Sequence, residues 1–349
     1  MKKLFAFFIS LLAIAGVSTT IEPAFAANQD KITIEKIVEQ IAPDLLADTV
    51  GPGSLRQIGS RLGTPDQSVK LNSKGLTDSN AISLTVEYAR EAEISEKGLI
   101  YFSGFDPSVG GIAQETQAGF RVITTLVSAP RSGRFSYKFD VPADAILQET
   151  ATNFLLTSNS KVLGAIEKPW AVDANRKQLK THYEWQNQTL TQVLDENLAK
   201  LAYPVILDPA WSYVLQYNLR LSPEANFSRL QNCFNCYFPV PGAPRNYPRY
   251  GQLLPLTMLG ANFECTMGAT YQYSGYREFQ FNATRNHIDQ YGSTIAFQLT
   301  RAGSQNLLVV RGYVVNEFGG PIGQWGYTIG ASNMWQSFAN NLNSYTITK

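Results

Sequence analysis

Short stretches in which apolar and polar residues alternate constrain this chain more than any other feature. Ile82, Leu84, Val86 and Tyr88 share one face, with Ser83, Thr85 and Glu87 on the other, and Phe135, Tyr137, Phe139 and Val141 repeat the pattern. Further along, Phe263, Cys265, Met267, Ala269, Tyr271 and Tyr273 alternate with Glu264, Thr266, Gly268, Thr270 and Gln272. Phe279, Phe281 and Ala283 alternate with Glu278, Gln280 and Asn282, and Ile295, Phe297 and Leu299 do the same. A period of two is that of half-buried strands. Leu307–Val315 is apolar on both faces apart from Arg311, which reads as a central strand. The expectation is a mainly β protein built from two antiparallel β-sandwich or barrel-like domains.

Helical spacing is confined to short segments. Ile34, Ile37, Val38, Ile41, Leu45 and Leu46 recur as one helix face near the N-terminus, with Pro43 set to kink or split the run. This helix is expected to pack on the domain behind it. One or two short helices are expected in the C-terminal domain. Ser222-Pro223-Glu224 has an N-cap, a proline at the first helical position and an acid in the first turn. Ser332 is a candidate cap for a last helix carrying Trp335, Phe338 and Leu342.

The 349 residues suggest two domains. Residues 1–26 read as a secretory signal peptide: Lys2 and Lys3, the apolar run Leu4–Val17, then Ala24-Phe25-Ala26. Residues 27–80 are expected to be a helix and a linker, 81–208 a β scaffold domain, and 209–349 a β C-terminal domain. No later stretch is long and apolar enough for a membrane span, so the mature chain is expected to be extracellular. Residues 27–208 hold 18 basic and 22 acidic residues, and residues 209–349 hold 9 and 5. The halves are therefore suited to attract each other. The low charge, 16% of residues, with 44% hydrophobic excludes a disordered chain.

One run carries a resemblance. It comprises Phe135–Pro142, Lys168-Pro169-Trp170-Ala171-Val172-Asp173-Ala174-Asn175, Thr181-His182-Tyr183-Glu184, Leu190–Val193 and Tyr203-Pro204-Val205-Ile206-Leu207-Asp208-Pro209. It resembles a strand-rich module of uncharacterised secreted actinobacterial proteins that precedes variable C-terminal domains. The resemblance implies a presenting or stabilising role for the first domain and transfers no catalytic residue. Cys233–Pro244, with His287-Ile288-Asp289 and Gly292–Ile295, is similar to a second secreted domain with no established activity.

The residues themselves limit the chemistry. Three cysteines, Cys233, Cys236 and Cys265, allow one internal disulfide. A bond from Cys265 to either of the others is as open as the Cys233-Phe234-Asn235-Cys236 pairing, and a zinc site would need His287 as a further ligand. No metal and no cofactor is expected. His182 reads as a surface residue on the polar face of a strand. His287 and Asp289, in a loop between strands, are the one acid–base pair worth carrying, should the chain be an enzyme. Glu264 and Glu278 lie on strand faces opposite the core and read as solvated. There is no nucleophile elbow, phosphate-binding loop or dinucleotide fingerprint.

Binding has more sequence support than catalysis. Tyr271, Tyr273, Tyr276 and Arg277 run from a strand into a turn, Trp325 and Tyr327 form a second cluster, and Tyr247-Pro248-Arg249-Tyr250 a third. Aromatic faces stack at small entropy cost, and Arg and Gln hydrogen-bond hydroxyls or anions. A near absence of Lys from this half argues against nucleic acid. The expected function is an extracellular binding module for cell-envelope glycan or another surface polymer, anionic polymers included. A secreted hydrolase or antibacterial toxin, and a purely structural surface protein, are the alternatives.

Overall fold

A computed structural model describes residues 34–42, 45–46, 69–72, 82–95, 98–116, 119–212, 214–258, 261–289, 291–313 and 321–344, and for 69–72, 115–116, 313 and 321–330 the backbone alone. The expected signal peptide lies outside the described residues. The chain is mainly β, and every strand pairing is antiparallel.

The first unit is two packed sheets. The smaller runs Val69–Asn72, Ser83–Val86, Arg134–Asp140, Thr189–Leu194, Thr181–Gln186. The longer runs Ala89–Ile94, Ile100–Gly104, Val109–Thr116, Gly119–Leu126, Ala210–Ser212, Lys161–Glu167, Asn153–Ser158, Ile146–Glu149, with Val205–Asp208 and Trp170–Val172 attached beside Gly119–Leu126. Alternation places Leu84, Phe135, Tyr137, Phe139 and Leu190 of the small sheet against Phe102, Phe120, Leu156, Leu207 and Trp211 of the long one. A Cβ at Gly164 would lie 2.4 Å from Trp211 Nε1, so glycine there is what admits the indole.

Two boundaries differ from expectation. Val69–Asn72, within the stretch expected to be linker, is a strand paired with Ser83–Val86. Ala210–Ser212 completes the long sheet instead of opening the second unit, so the chain crosses between Ser212 and Leu215.

The outer face of the long sheet is covered by two different partners. Over one half lies helix α1 (34–41), whose Val38 and Ile41 pack on Leu99, Tyr101, Ile112, Ile123 and Ile206. Gln114 and Arg121 donate to the Leu45 carbonyl at 2.9 and 3.2 Å, and Tyr101 donates to Glu35. Arg121 also holds the buried Asp208 carboxylate at 2.9 Å. Over the other half, Leu155, Val162 and Ala165 meet Val214, Ala302, Leu307 and Val309 of the second unit.

That second unit is built on a six-stranded sheet, in the order Leu215–Leu219, Gln305–Tyr313, Thr294–Ala302, Tyr276–Ala283, Cys265–Tyr273, Leu253–Leu254, with a separate two-stranded pair of Thr257–Met258 and Ala261–Asn262. Its face away from the first unit carries Phe279, Phe281, Phe297, Leu299, Leu308 and Val310. Helices α2 (Pro223–Asn232), α3 (Phe234–Tyr237) and α4 (Pro321–Asn343) cover that face through Phe227, Phe234, Phe238, Trp335 and Phe338. Ser222 accepts from Ala225 N–H, the cap expected for α2. Helix α4 starts at Pro321 rather than after Ser332, because a proline at the first helical position loses no hydrogen bond. Trp335, Phe338 and Leu342 are its buried face, as the spacing requires. Gln305–Tyr313 is central: Leu308 and Val310 face the helices while Leu307 and Val309 face the first unit.

Candidate functional site

The strand Cys265–Tyr273 does not keep one face. Met267 pairs with Phe281 and Thr270 with Phe279, so three steps along one strand oppose two along its neighbour. This is a β-bulge at Gly268-Ala269, and one extra residue inverts the alternation beyond it. Met267 stays on the helix-covered face. Tyr271 and Tyr273, which the plain period places with Met267, instead pair with Glu278 and Tyr276 and share their face, opposite the helices. Gly268 sits tightly in the bulge, where a Cβ would lie 3.1 Å from Gln280.

Tyr273 is 57% exposed and Tyr271 half-buried. Tyr276 is buried, with its ring 6.3 Å from that of Tyr273. Arg277 goes the other way: it pairs with Gln272, donates to the carbonyls of Tyr273 and Tyr276, and lies 3.8 Å from Glu224 of α2. It therefore braces the turn from the helix side and does not join the tyrosines. The side chains of Trp325 and Tyr327, within α4, lie outside the described residues. Of the third cluster, Tyr247 packs on Phe227 and Phe234 and bonds Thr270 at 3.2 Å, while Tyr250 is 83% exposed.

One cross-strand row on this face passes from open to covered. It reads Tyr271, Glu278, Gln298, Val309, Gln216. Gln216 clamps the first unit by accepting from Val162 N–H at 2.8 Å and donating to Val162 O at 2.7 Å. Glu278 is not solvated as the alternation suggested. It is 0% exposed, because the turn before Asn153–Ser158 closes over it. Thr152 Oγ1 donates to it at 3.1 and 3.0 Å, Gln298 Nε2 at 2.9 Å, Gln280 Nε2 at 2.5 Å, and Tyr276 donates its hydroxyl. No lysine or arginine among the described residues pairs with it. Burial and the adjacent carboxylate push the Tyr276 phenol well above its usual value, which keeps it a donor.

The surrounding contact is only partly satisfied. Gln298 Oε1, Thr300 Oγ1, Asn153 Nδ2 and Ser212 Oγ are buried without hydrogen-bond partners. Each such group costs about 1–3 kcal/mol of desolvation. Arg311 pairs with Glu167 across the junction, the expected attraction between oppositely charged halves.

The His287 loop has a different character. His287 is 9% exposed and packs its ring on Phe263. Its Nδ1 accepts from Asp289 N–H at 2.9 Å, and Asp289 Oδ2 is 3.8 Å away. A catalytic dyad needs that nitrogen to donate to the carboxylate, and here it is already an acceptor. Burial lowers the imidazole to about 4, so it is neutral. Ser293 donates to the Asp289 carbonyl. Glu264, outside any strand, accepts from Thr284 at 2.7 Å and Asn286 at 3.0 Å, which fastens the loop from below.

The disulfide joins Cys233 and Cys236. Cys265 is free and buried; burial, with Asp289 and Glu264 nearby, pushes its thiol up to about 12, so it is unreactive. His182 is exposed, 2.6 Å from Asp195. Among the described residues no three His, Cys, Asp or Glu side chains cluster to hold a metal, and no helix is long and apolar enough to cross a membrane. No family model, curated protein or solved structure matches this chain.

Proposed function

We propose that this is an exported protein whose second unit binds cell-envelope glycan or another surface polymer, with the first unit as its presenting scaffold. One observation carries the reading. The bulge at Gly268-Ala269 turns Tyr271 and Tyr273 out of the core onto an open margin beside amide and hydroxyl groups. Flat rings that stack, flanked by groups that both give and accept hydrogen bonds, are what a sugar ring recognises. Export is supported by Lys2, Lys3, Leu4–Val17 and Ala24-Phe25-Ala26, and secreted protein starting at Ala27 is the expected product.

The hydrolase reading has less support, because His287 is buried, neutral and tied to its own turn. Binding is tested by sedimenting the full chain with insoluble polysaccharides. Tyr273→Ala is expected to lower retention about tenfold, equivalent to about 1.4 kcal/mol. Unchanged retention in both Tyr271→Ala and Tyr273→Ala would remove the tyrosine margin as the binding surface.

A further inference from the structure

The margin formed by Tyr271 and Tyr273 is the visible end of a longer surface, the rest of which lies under the first unit. We propose that the contact between the units is a cap that opens, and that the face beneath it, with Tyr276, Glu278 and Gln298, extends the tyrosine margin into a binding track for a neutral polyhydroxylated chain. This rests on the glycan reading above and narrows it.

Three observations support it. First, the covered face is polar beside the tyrosine margin: Glu278, Gln298 and Thr300 are each 0% exposed, and Gln298 Oε1 and Thr300 Oγ1 have no partner, while the apolar contact of Leu155, Val162 and Ala165 with Ala302, Leu307 and Val309 adjoins it. Buried groups without partners weaken the closed contact on that side, and units of one chain move relative to one another unless their contact is large and apolar throughout. Second, the chain passes once between the units, between Ser212 and Leu215, and the turn at Gly303 lies over Ser160. Third, the chemistry suits a polyol. Glu278 only accepts, Gln298 accepts and donates, and Tyr271 and Tyr273 offer faces, so hydroxyls can replace the bonds made by Thr152. A carboxylate in the row disfavours phosphate- or carboxylate-bearing polymers, which is why the occupant is neutral.

The structure supplies a lock. A Cβ at Gly303 would lie 3.8 Å from Ser160 Cβ, within the range a disulfide spans, and because both residues have positive φ (56° and 63°) the fold of the double variant is checked by circular dichroism before retention is read. The full-length double variant Ser160→Cys/Gly303→Cys is compared, oxidised and reduced, for retention on insoluble cellulose, xylan and mannan. Wild type with the same reductant controls for the Cys233–Cys236 bond. At least a tenfold loss in the oxidised form, restored by reduction, is expected. Equal retention in both forms, with Tyr273→Ala still weakening it, overturns the cap and leaves the tyrosine margin standing. No retention of the wild type on any of the three overturns both.

A second variant reads opening without ligand. Thr300→Cys places a thiol at a fully covered position. Alkylation by a maleimide under native conditions, suppressed by added polysaccharide, is expected. Alkylation only where the whole protein unfolds overturns the cap, and wild type shows whether Cys265 contributes.

Discussion

Thr152 of the first unit donates its hydroxyl to both carboxylate oxygens of Glu278 in the second, at 3.1 and 3.0 Å, where the acid is 0% exposed and no lysine or arginine among the described residues pairs with it. The bond joins residues 126 positions apart and links the two units. Thr152→Val is expected to cost about 1 kcal/mol, the worth of one hydrogen bond. Glu278→Ala strands several donors at once and is expected to cost about 3 kcal/mol. Urea denaturation of the full chain measures both, and the double variant is expected to fall short of their sum because the residues are in contact.

Two buried groups tilt the pH dependence in opposite directions. Burial holds His287 at about 4, below its ordinary 6.5, so the unfolded chain binds more protons between those values. Its contribution is complete above pH 6.5 and lost as pH falls toward 4. Burial raises Asp208 from 3.8 to about 6, outweighing the Arg121 guanidinium 2.9 Å away. There the folded chain holds the proton, so that contribution is complete below 3.8 and lost as pH rises through 6. Denaturation midpoints between pH 4 and 6.5 are expected to fall less steeply toward acid in His287→Asn than in wild type. Asp208→Asn, which removes the carboxylate beside Arg121, is expected to fall more steeply.

The extra residue at the bulge can be removed without turning the tyrosines. Deleting Ala269 leaves Met267 opposite Phe281, Thr270 opposite Phe279 and Tyr271 opposite Glu278, now in regular alternation. The deletion is expected to fold, with polysaccharide retention within about twofold of wild type. Loss of folding, read by circular dichroism, would mean that the bulge is needed to bend the strand as well.

The Cys233–Cys236 bond spans three positions of sequence. By chain entropy so small a loop is worth about 2 kcal/mol. Cys233→Ser/Cys236→Ser is expected to lower stability by about that amount, read from the same urea curves, while leaving retention unchanged.

Much of the fold is written in plain periodicity. Phe279, Phe281 and Ala283 face the helices, and the double-faced apolar run around Leu307 to Val310 is a central strand, because burial on one or two faces leaves different patterns. Glu278 is another matter. A polar residue alternating with phenylalanine reads the same whether water or a second unit covers it, so the junction has no signature along one strand. The bulge is equally silent: Gly268-Ala269 fits an unbroken strand, and only the partner strand reveals the extra residue. The start of α4 did carry a signal, Pro321 after two glycines, masked by the glycines that follow it. Of the tyrosines singled out, the structure keeps Tyr271 and Tyr273 on one open margin and buries Tyr276 beside them.

The wing of the long sheet that receives the second unit matters for how the chain is made. Synthesis delivers the first 212 residues before the strands Thr294–Ala302 and Gln305–Tyr313, which cover Leu155, Val162 and Ala165. Until then those side chains form an uncovered apolar face bordered by the free edge strand Ile146–Glu149, a surface that invites self-association. A chain stopped after Ser212 inherits that problem permanently. The first unit thus relies on the second to cover that face, and shortened versions of the protein are best cut elsewhere.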